Sequence, residues 1–258
     1  MTFHFSNGFP IDRGLVSIKN YQSLKEESFQ KKISLSQKQD CYNNQKSTFR
    51  FEGYCYLNEE NLIFGDSHAF DAASSIELHG EKNVSRLAGG GCSLIPLKSH
   101  SYCNINFDAF KEAYENKILR KVFLFNRYDD GELTDEYLEK VFSYWGAYES
   151  VEIFVMSPIP EFPSYMAITR KDEVNKHFNK ISFDKEDRFF RLVGDLKLPK
   201  NIKIIRLSDY TCPNKGKITS NLCYFNKDGV YYYTDNDHLG LAGMSEYGKN
   251  LHHLIFGQ

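Results

Sequence analysis

The stretch NLIFGDSHAFD, Asn61 to Asp71, contains the transition that decides the fold of this chain. Residues 61–65 form a short apolar run that ends on a glycine, which is typical of a buried strand. From His68 onward the pattern becomes helical and predicts a helix over residues 68–80 that ends at Gly80. Asp66 and Ser67 therefore lie in a tight turn between a strand and a helix. Ser67 is either a nucleophile or, with Asp66, a simple helix cap, and the turn alone favours the cap.

The rest of the chain repeats this alternation of strand and helix. Apolar runs predict strands over residues 121–126, 151–156 and 202–207 and a further one over 83–88, and amphipathic segments predict helices over 107–119, 134–148 and 239–256. Strands that alternate with helices at this spacing indicate βαβ units, so the predicted fold class is α/β with a parallel sheet covered on both faces. Active sites of such sheets lie at the carboxyl ends of the strands, which directs attention to residues 65–68, 88–92, 126–128 and 157–160.

Composition limits the kinds of partner that the 258-residue chain can have. Its formal net charge is -2, which gives no electrostatic reason to bind nucleic acid, and we predict no such partner. No apolar run approaches the roughly 18 residues that a membrane span needs, and the N-terminus does not look like a secretory signal. Residues 1–50 are polar and weakly patterned, which predicts a linker-like extension that packs on a folded domain over residues 51–258.

The six cysteines leave the redox compartment open. They are Cys41, Cys55, Cys92, Cys103, Cys212 and Cys223, which follow one another as three neighbouring pairs. They are either reduced thiols of a cytosolic protein or disulfides of an exported one, and six cysteines allow 15 connectivities. The regular spacing favours disulfides, with nearest-neighbour pairing giving three short loops. No C-x-x-C and no histidine at zinc-finger spacing occur, so we predict no metal site.

A serine nucleophile requires a base, and His238 is the best candidate among eight histidines. It follows a polar turn, TDND, just before the last predicted helix. Asp235 lies three residues earlier, where its carboxylate can accept the imidazole N–H and fix the tautomer. Asp237 is closer in sequence, but adjacent side chains usually point apart, so we interpret it as a cap of the last helix. We interpret His68, directly after Ser67, as a residue of the first helical turn.

The motifs Gly65-Asp66-Ser67-His68 and Asp235-x-x-His238-Leu239, in this order around a βαβ pattern, resemble the SGNH (GDSL-like) hydrolase family. The stretches CYLNEENLIFGDSHA, KVFLFNRY, SPIPEFP and CPNKGKITSNLCYFNKDGVYYYTDNDHLGLAG are more specifically similar to the SGNH domain attached to acyltransferase family 3 membrane proteins. The resemblance covers roughly residues 50 to 258. It implies a flavodoxin-like three-layer sandwich with a central parallel sheet of about five strands, and it makes residues 51–258 the catalytic domain.

The resemblance also implies roles for individual residues. Ser67 would be the nucleophile, His238 the base and Asp235 the orienting acid. The oxyanion hole would be formed by Ser67, Gly90 and Asn126, although the family's fuller G-x-N-D pattern is replaced by Asn126-Arg127-Tyr128. Arg127 and Tyr128 match an Arg-aromatic pair of the fused subgroup and would bind substrate. Paired cysteines before each motif, similar to Cys41/Cys55 and Cys212/Cys223, would be disulfides.

The activity implied by the resemblance is serine-dependent O-acetylation of a cell-surface glycan, such as lipopolysaccharide O-antigen, through an acetyl-Ser67 intermediate. The alternative is a carbohydrate O-acetyl esterase of the same fold. No bound cofactor is expected. The acetyl donor would derive from acetyl-CoA through an integral membrane acyltransferase domain in the same polypeptide, and the glycan acceptor would be met in the periplasm. A decayed glycan-binding domain is disfavoured because Ser67, Asp235 and His238 are all present in order.

Overall fold

The protein is built on a five-stranded, all-parallel sheet. The computed structural model describes residues 59–79, 84–97, 103–129, 131–162, 181–213, 220–224, 226–227, 230–233 and 237–257. The strands are β1 Asn61–Gly65, β2 Ser85–Ala88, β3 Lys121–Phe125, β4 Glu152–Met156 and β5 Ile202–Ile205, in the spatial order β2-β1-β3-β4-β5. After β1 the chain forms β2 on one side of this strand and then crosses over to form β3 on its other side. The carboxyl ends of β1 and β3 therefore flank the switch point at which ligands bind in open α/β sheets.

Helices cover both faces of the sheet and give three layers. The main helices are α1 Ser67–His79, α2 Asn104–Glu115, α3 Asp135–Gly146, α4 Asp184–Gly194 and, after the one-turn α5 Ser208–Thr211, the last helix α6 Leu241–Phe256. One core contains Leu62, Phe64 and Val122 with residues of α2, α3 and α4. The other contains Ile63, Phe123 and Met156 with residues of α1 and α6. Successive residues of each strand point to opposite faces, so the strands are apolar on both sides.

The described elements between α5 and α6 are short. They include a 3₁₀ turn at Asn221–Cys223 and the antiparallel pair of β6 Asn226–Lys227 and β7 Val230–Tyr231. Two disulfides, Cys92–Cys103 and Cys212–Cys223, join neighbouring cysteines as predicted. Cys41 and Cys55 lie outside the described residues, as does the extension over residues 1–50. No helix in the described part of the chain is long and apolar enough to cross a membrane.

The predicted fold class is confirmed, and the predicted strands and helices that fall on described residues are present. The sequence analysis missed α4, whose segment DKEDRFFRLVG is mostly charged. Only Glu186, Phe189 and Val193 of this helix are buried. Its average hydropathy is low, but its apolar residues recur at helical spacing, so the period and not the average was the available signal. The antiparallel pair of β6 and β7 was also missed, because two-residue strands carry no periodic signal.

Candidate active site

The turn after β1 can be formed only around a glycine. Gly65 has φ +147°, and a Cβ at this position would lie 1.7 Å from the carbonyl oxygen of Phe125 on β3. The close approach lets the next residue, Asp66, donate its N–H to that carbonyl at 3.3 Å. The absence of a side chain thus brings the carboxyl ends of β1 and β3 together at the switch point.

The buried carboxylate of Asp66 stabilises the turn by accepting two backbone hydrogen bonds. One carboxylate oxygen accepts the N–H of His68 at 2.8 Å, and the other accepts the N–H of Arg127 at 2.8 Å. The first bond caps α1, and the second joins this helix to the end of β3. Burial raises the pKa of Asp66, although His68 and the two N–H donors act against that rise. Asp66, not Ser67, is therefore the capping side chain, and the hydroxyl of Ser67 is left for another partner.

That partner is His238. Its Nε2 lies 2.9 Å from Oγ of Ser67, across 171 residues of sequence. Ser67 is the first residue of α1, where the unpaired N–H groups of a helix and its dipole favour negative charge. A hydroxyl, an imidazole nitrogen and a helix N-terminus in this arrangement are the elements of an activated serine nucleophile. The structure thus brings together two of the three residues of the predicted triad.

Contacts between α1 and the loop before α6 hold His238 in place. Asp71, one turn after Ser67 on α1, accepts the N–H of Leu239 through Oδ2 at 2.9 Å. On the other side, the N–H of Gly240 donates to the carbonyl of Tyr232 at 2.9 Å. The serine and the histidine are therefore positioned through the same helix. Sequence reasoning missed Asp71, although an acidic residue four positions after Ser67 in a helix of small residues was a visible signal.

A close crossing of two helices supports this arrangement. A Cβ on Gly248 of α6 would lie 2.0 Å from the carbonyl oxygen of Ser75 on α1. Most of α1 is buried, and its buried residues include three alanines and two serines, whose small side chains allow the backbones to approach. The distance between Ser67 and His238 depends on this crossing, because Ser67 begins α1 and His238 lies three residues before the first residue of α6.

Asp237 is not a helix cap, contrary to the sequence interpretation. The N-cap position of α6 is Gly240, and the carboxylate of Asp237 is 1% exposed and turned into the site. Its Oδ1 lies 3.1 Å from Nδ1 of His238, and its Oδ2 lies 2.7 Å from Nε of Arg127. Burial alone would raise the pKa of Asp237, but His238 and His68 lower it well below its ordinary range. Asp235 lies outside the described residues, so its role as orienting acid stays a prediction.

His68 belongs to the same cluster. It is buried, with Nε2 3.6 Å from Oδ2 of Asp237 and its ring centroid 5.1 Å from that of His238. Burial by itself lowers the pKa of His68, but the carboxylates of Asp66 and Asp237 outweigh it and the pKa lies above the ordinary value of 6.5. It is a residue of the first helical turn, as interpreted, and in addition a partner of a buried carboxylate.

Ser67 is itself one predicted oxyanion donor, and the other two, Gly90 and Asn126, lie in segments that contact the turn of Ser67. Gly89 donates its N–H to the carbonyl of Gly65 at 3.1 Å, which places the loop with Gly90 beside the turn. Asn126 follows β3 directly and is buried, and its Nδ2 donates to Oε2 of Glu132 at 3.1 Å. This bond fixes the amide orientation and uses one of its two N–H groups. Whether these groups stabilise an oxyanion stays a prediction.

Comparison with known families decides the identity of the domain. A family model described as "SGNH domain (fused to AT3 domains)" matches residues 40–252. The chain belongs to this family. A search of curated proteins gives no match. The family is one of acyltransferases and esterases, so this SGNH domain is an enzyme of acyl transfer or ester hydrolysis.

The two residues assigned to substrate binding in this SGNH domain have different environments. Arg127 is 40% exposed and forms the ion pair with Asp237 at the edge of the site. Tyr128 is fully buried, with φ +53°, and its hydroxyl donates to the carbonyl of Met156 at 3.0 Å. A ring without exposed surface cannot stack on a sugar. The expectation for Tyr128 is therefore corrected: the residue belongs to the core under β3 and β4.

Among the residues that the structure describes, one group of side chains has the spacing of a metal site. The ligand atoms of His68, Asp237 and His238 lie within 4.8 Å of one another. A cation there would compete with the guanidinium of Arg127, which is already 2.7 Å from Asp237, and with Ser67 for Nε2 of His238. The charges around the carboxylate thus fit an ion-pair cluster better than a metal centre.

Proposed function

We propose that this SGNH domain transfers acetyl groups to hydroxyl groups of a cell-surface glycan, such as lipopolysaccharide O-antigen. The observation that carries the proposal is the 2.9 Å contact between Oγ of Ser67 and Nε2 of His238 at the switch point of the sheet. Family membership supports acyl chemistry at this serine. The fusion named in the family description supports a membrane partner that supplies the acetyl group.

The reaction would proceed in two steps, acetylation of Ser67 and transfer of the acetyl group to the sugar. Oγ of Ser67 attacks the acetyl carbonyl carbon while its proton passes to Nε2 of His238, and the leaving group departs with that proton. This forms an acetyl-Ser67 ester. A sugar hydroxyl then gives its proton to His238 and attacks the same carbonyl carbon, so the sugar ester forms and the serine hydroxyl is restored. Each tetrahedral oxyanion would be held by the N–H of Ser67, with Gly90 and Asn126 as further donors.

The acceptor decides between transferase and esterase. If water replaces the sugar hydroxyl in the second step, the same residues act as a carbohydrate O-acetyl esterase. Ser67 is only half-buried, which favours some hydrolysis by this route. We place the reaction outside the cytoplasm, with an acetyl-CoA-derived donor delivered through an integral membrane domain of the same polypeptide and with no cofactor bound by the SGNH domain itself. The two disulfides support an oxidising compartment.

The nucleophile is tested with 4-nitrophenyl acetate as the donor. Intact mass and nitrophenol release are measured for the wild type, Ser67→Ala and a matched control, Ser143→Ala, which removes an exposed hydroxyl on α3. We expect one acetyl adduct or turnover in the wild type and in Ser143→Ala, and neither in Ser67→Ala. An adduct that persists in Ser67→Ala would exclude Ser67 as the nucleophile.

The acceptor is tested in a second experiment. Candidate O-antigen polysaccharides are added at a fixed donor concentration, and O-acetyl groups on the glycan are counted by NMR against free acetate. Transfer that rises with glycan concentration at the expense of acetate supports the transferase. Acetate production that is unchanged by every glycan supports the esterase.

A further inference from the structure

Asp237 is surrounded by cationic and imidazole groups that come from three parts of the fold. Arg127 from the end of β3 lies at 2.7 Å, His238 from the same loop at 3.1 Å and His68 from α1 at 3.6 Å. The carboxylate itself is 1% exposed, whereas the guanidinium is 40% exposed. A buried carboxylate is costly unless it is paired, so these contacts hold its charge at this point of the site.

The two nitrogens of His238 have different neighbours. Nε2 lies 2.9 Å from the hydroxyl of Ser67, and Nδ1 lies 3.1 Å from Oδ1 of Asp237. A carboxylate beside Nδ1 favours the tautomer with the proton on that nitrogen, which leaves the lone pair of Nε2 directed at the serine. Negative charge at this distance also stabilises the imidazolium that forms when the serine gives up its proton.

We propose that Asp237 is a positioning residue for His238: held by Arg127 and His68, its carboxylate orients the imidazole toward Ser67 and stabilises its protonated form. The family pattern assigns the same orienting role to Asp235, so the experiment has to separate the contributions of the two carboxylates. The proposal rests on the proposed function of Ser67 and His238, because a base is required only if the serine is a nucleophile.

Other charges face this cluster, and their effects must be separated from that of Asp237. Arg127 is also 3.9 Å from Asp129 and 4.0 Å from Glu161. The groups that face His238 or Asp237 from the described elements are Asp66, Ser67, His68 and Asp71 of the α1 end, Arg127 after β3, and Tyr233 before the loop. Arg127 and Asp237 carry opposite charges, so replacing Arg127 and replacing Asp237 should shift the pKa of His238 in opposite directions.

The test uses three substitutions and two readouts. Asp237→Asn removes the buried charge with little change of shape, Arg127→Gln removes the opposing charge, and Asp129→Asn is the control because this carboxylate is 79% exposed. The first readout is the titration of His238 in imidazole NMR spectra. The second is the pH profile of kcat/KM for 4-nitrophenyl acetate.

Opposite shifts are expected in the two test variants. In Asp237→Asn the NMR midpoint of His238 and the acidic limb of the profile should move to lower pH by about one to three units, as for loss of an opposite charge at this distance. In Arg127→Gln both should move to higher pH. Asp129→Asn should titrate like the wild type. A general disturbance of the fold would not produce shifts of opposite sign.

The outcomes separate this proposal from the proposed function. If Asp237→Asn leaves the NMR midpoint of His238 unchanged while Asp235→Asn lowers it, the orienting role belongs to Asp235 alone and the proposal for Asp237 is overturned. If the NMR shifts occur as expected but Ser67 forms no adduct, the electrostatic role of Asp237 stands and the acyl-transfer function fails. Should Asp237→Asn not fold, Asp237→Ser is titrated in its place: a His238 midpoint at lower pH supports the proposal, and an unchanged midpoint overturns it.

Discussion

Replacing Gly65 with alanine tests whether the nucleophile turn depends on the close approach of β1 and β3. The new Cβ would lie 1.7 Å from the carbonyl oxygen of Phe125, whereas carbon–oxygen contacts are ordinarily about 3.3 Å. The two strand ends would have to separate by about 1.6 Å to remove this overlap. The φ angle of +147° adds strain of about 1–3 kcal/mol for any residue with a side chain.

The separation also breaks hydrogen bonds that cross the switch point. The N–H of Asp66 bonds the carbonyl of Phe125, and the carboxylate of Asp66 accepts the N–H of Arg127. Each such bond contributes about 0.5–1.5 kcal/mol, so the strain and the two lost bonds together destabilise the fold by about 2–6 kcal/mol. For a domain of this size the melting temperature should fall by about 10 °C. A displacement of Ser67 by about 1 Å should also lower the acyl-transfer rate on the order of 100-fold.

Thermal unfolding and 4-nitrophenyl acetate turnover are the assays for this prediction. Gly194→Ala is the matched control, because no atom lies within 4 Å of a Cβ at the end of α4. Alanine is favoured over glycine in a helix, so this variant should melt at or slightly above the wild-type temperature. The reasoning is refuted if Gly65→Ala melts within about 2 °C of the wild type and keeps its turnover.

Three further substitutions test the packing and electrostatics of the site. Gly248→Ala places a Cβ 2.0 Å from the carbonyl oxygen of Ser75, so we expect about 1–3 kcal/mol of destabilisation and slower turnover. A melting temperature and a turnover rate equal to those of the wild type would contradict a positioning role for the helix crossing. Tyr128→Phe should cost about 1 kcal/mol in denaturant unfolding by losing its bond to Met156, with the KM for glycan unchanged; a higher KM would restore its substrate role. Because the folded pKa of His68 is raised above 6.5, it contributes stability below that pH that is lost as the pH rises through the folded pKa. The melting temperature of the wild type should therefore fall more than that of His68→Gln between about pH 6 and pH 8.5, and parallel curves would contradict this.

The sequence by itself determined the parts of this protein that depend on neighbouring residues. Strand, glycine turn and helix follow one another within Asn61–His79, so the position of Ser67 at the end of a buried strand could be predicted from local pattern. The alternation of apolar runs and amphipathic segments likewise determined a parallel sheet, because parallel strands need a helix-sized crossover between them. The neighbouring spacing of Cys92 with Cys103 and of Cys212 with Cys223 indicated the disulfides found.

Only the tertiary structure decided how distant residues share the site. The contact of His238 with Ser67 spans 171 residues, and it depends on a helix crossing at Gly248 that no local pattern shows. Asp237 turns inward against the expectation for adjacent side chains, because Arg127 and His68 from other elements supply the charge that a buried carboxylate needs. The ring of Tyr128 turns into the core for a similar reason, since its hydroxyl finds a carbonyl on β4. Burial and pairing of polar groups are settled by long-range neighbours, and these exist only after the chain has folded.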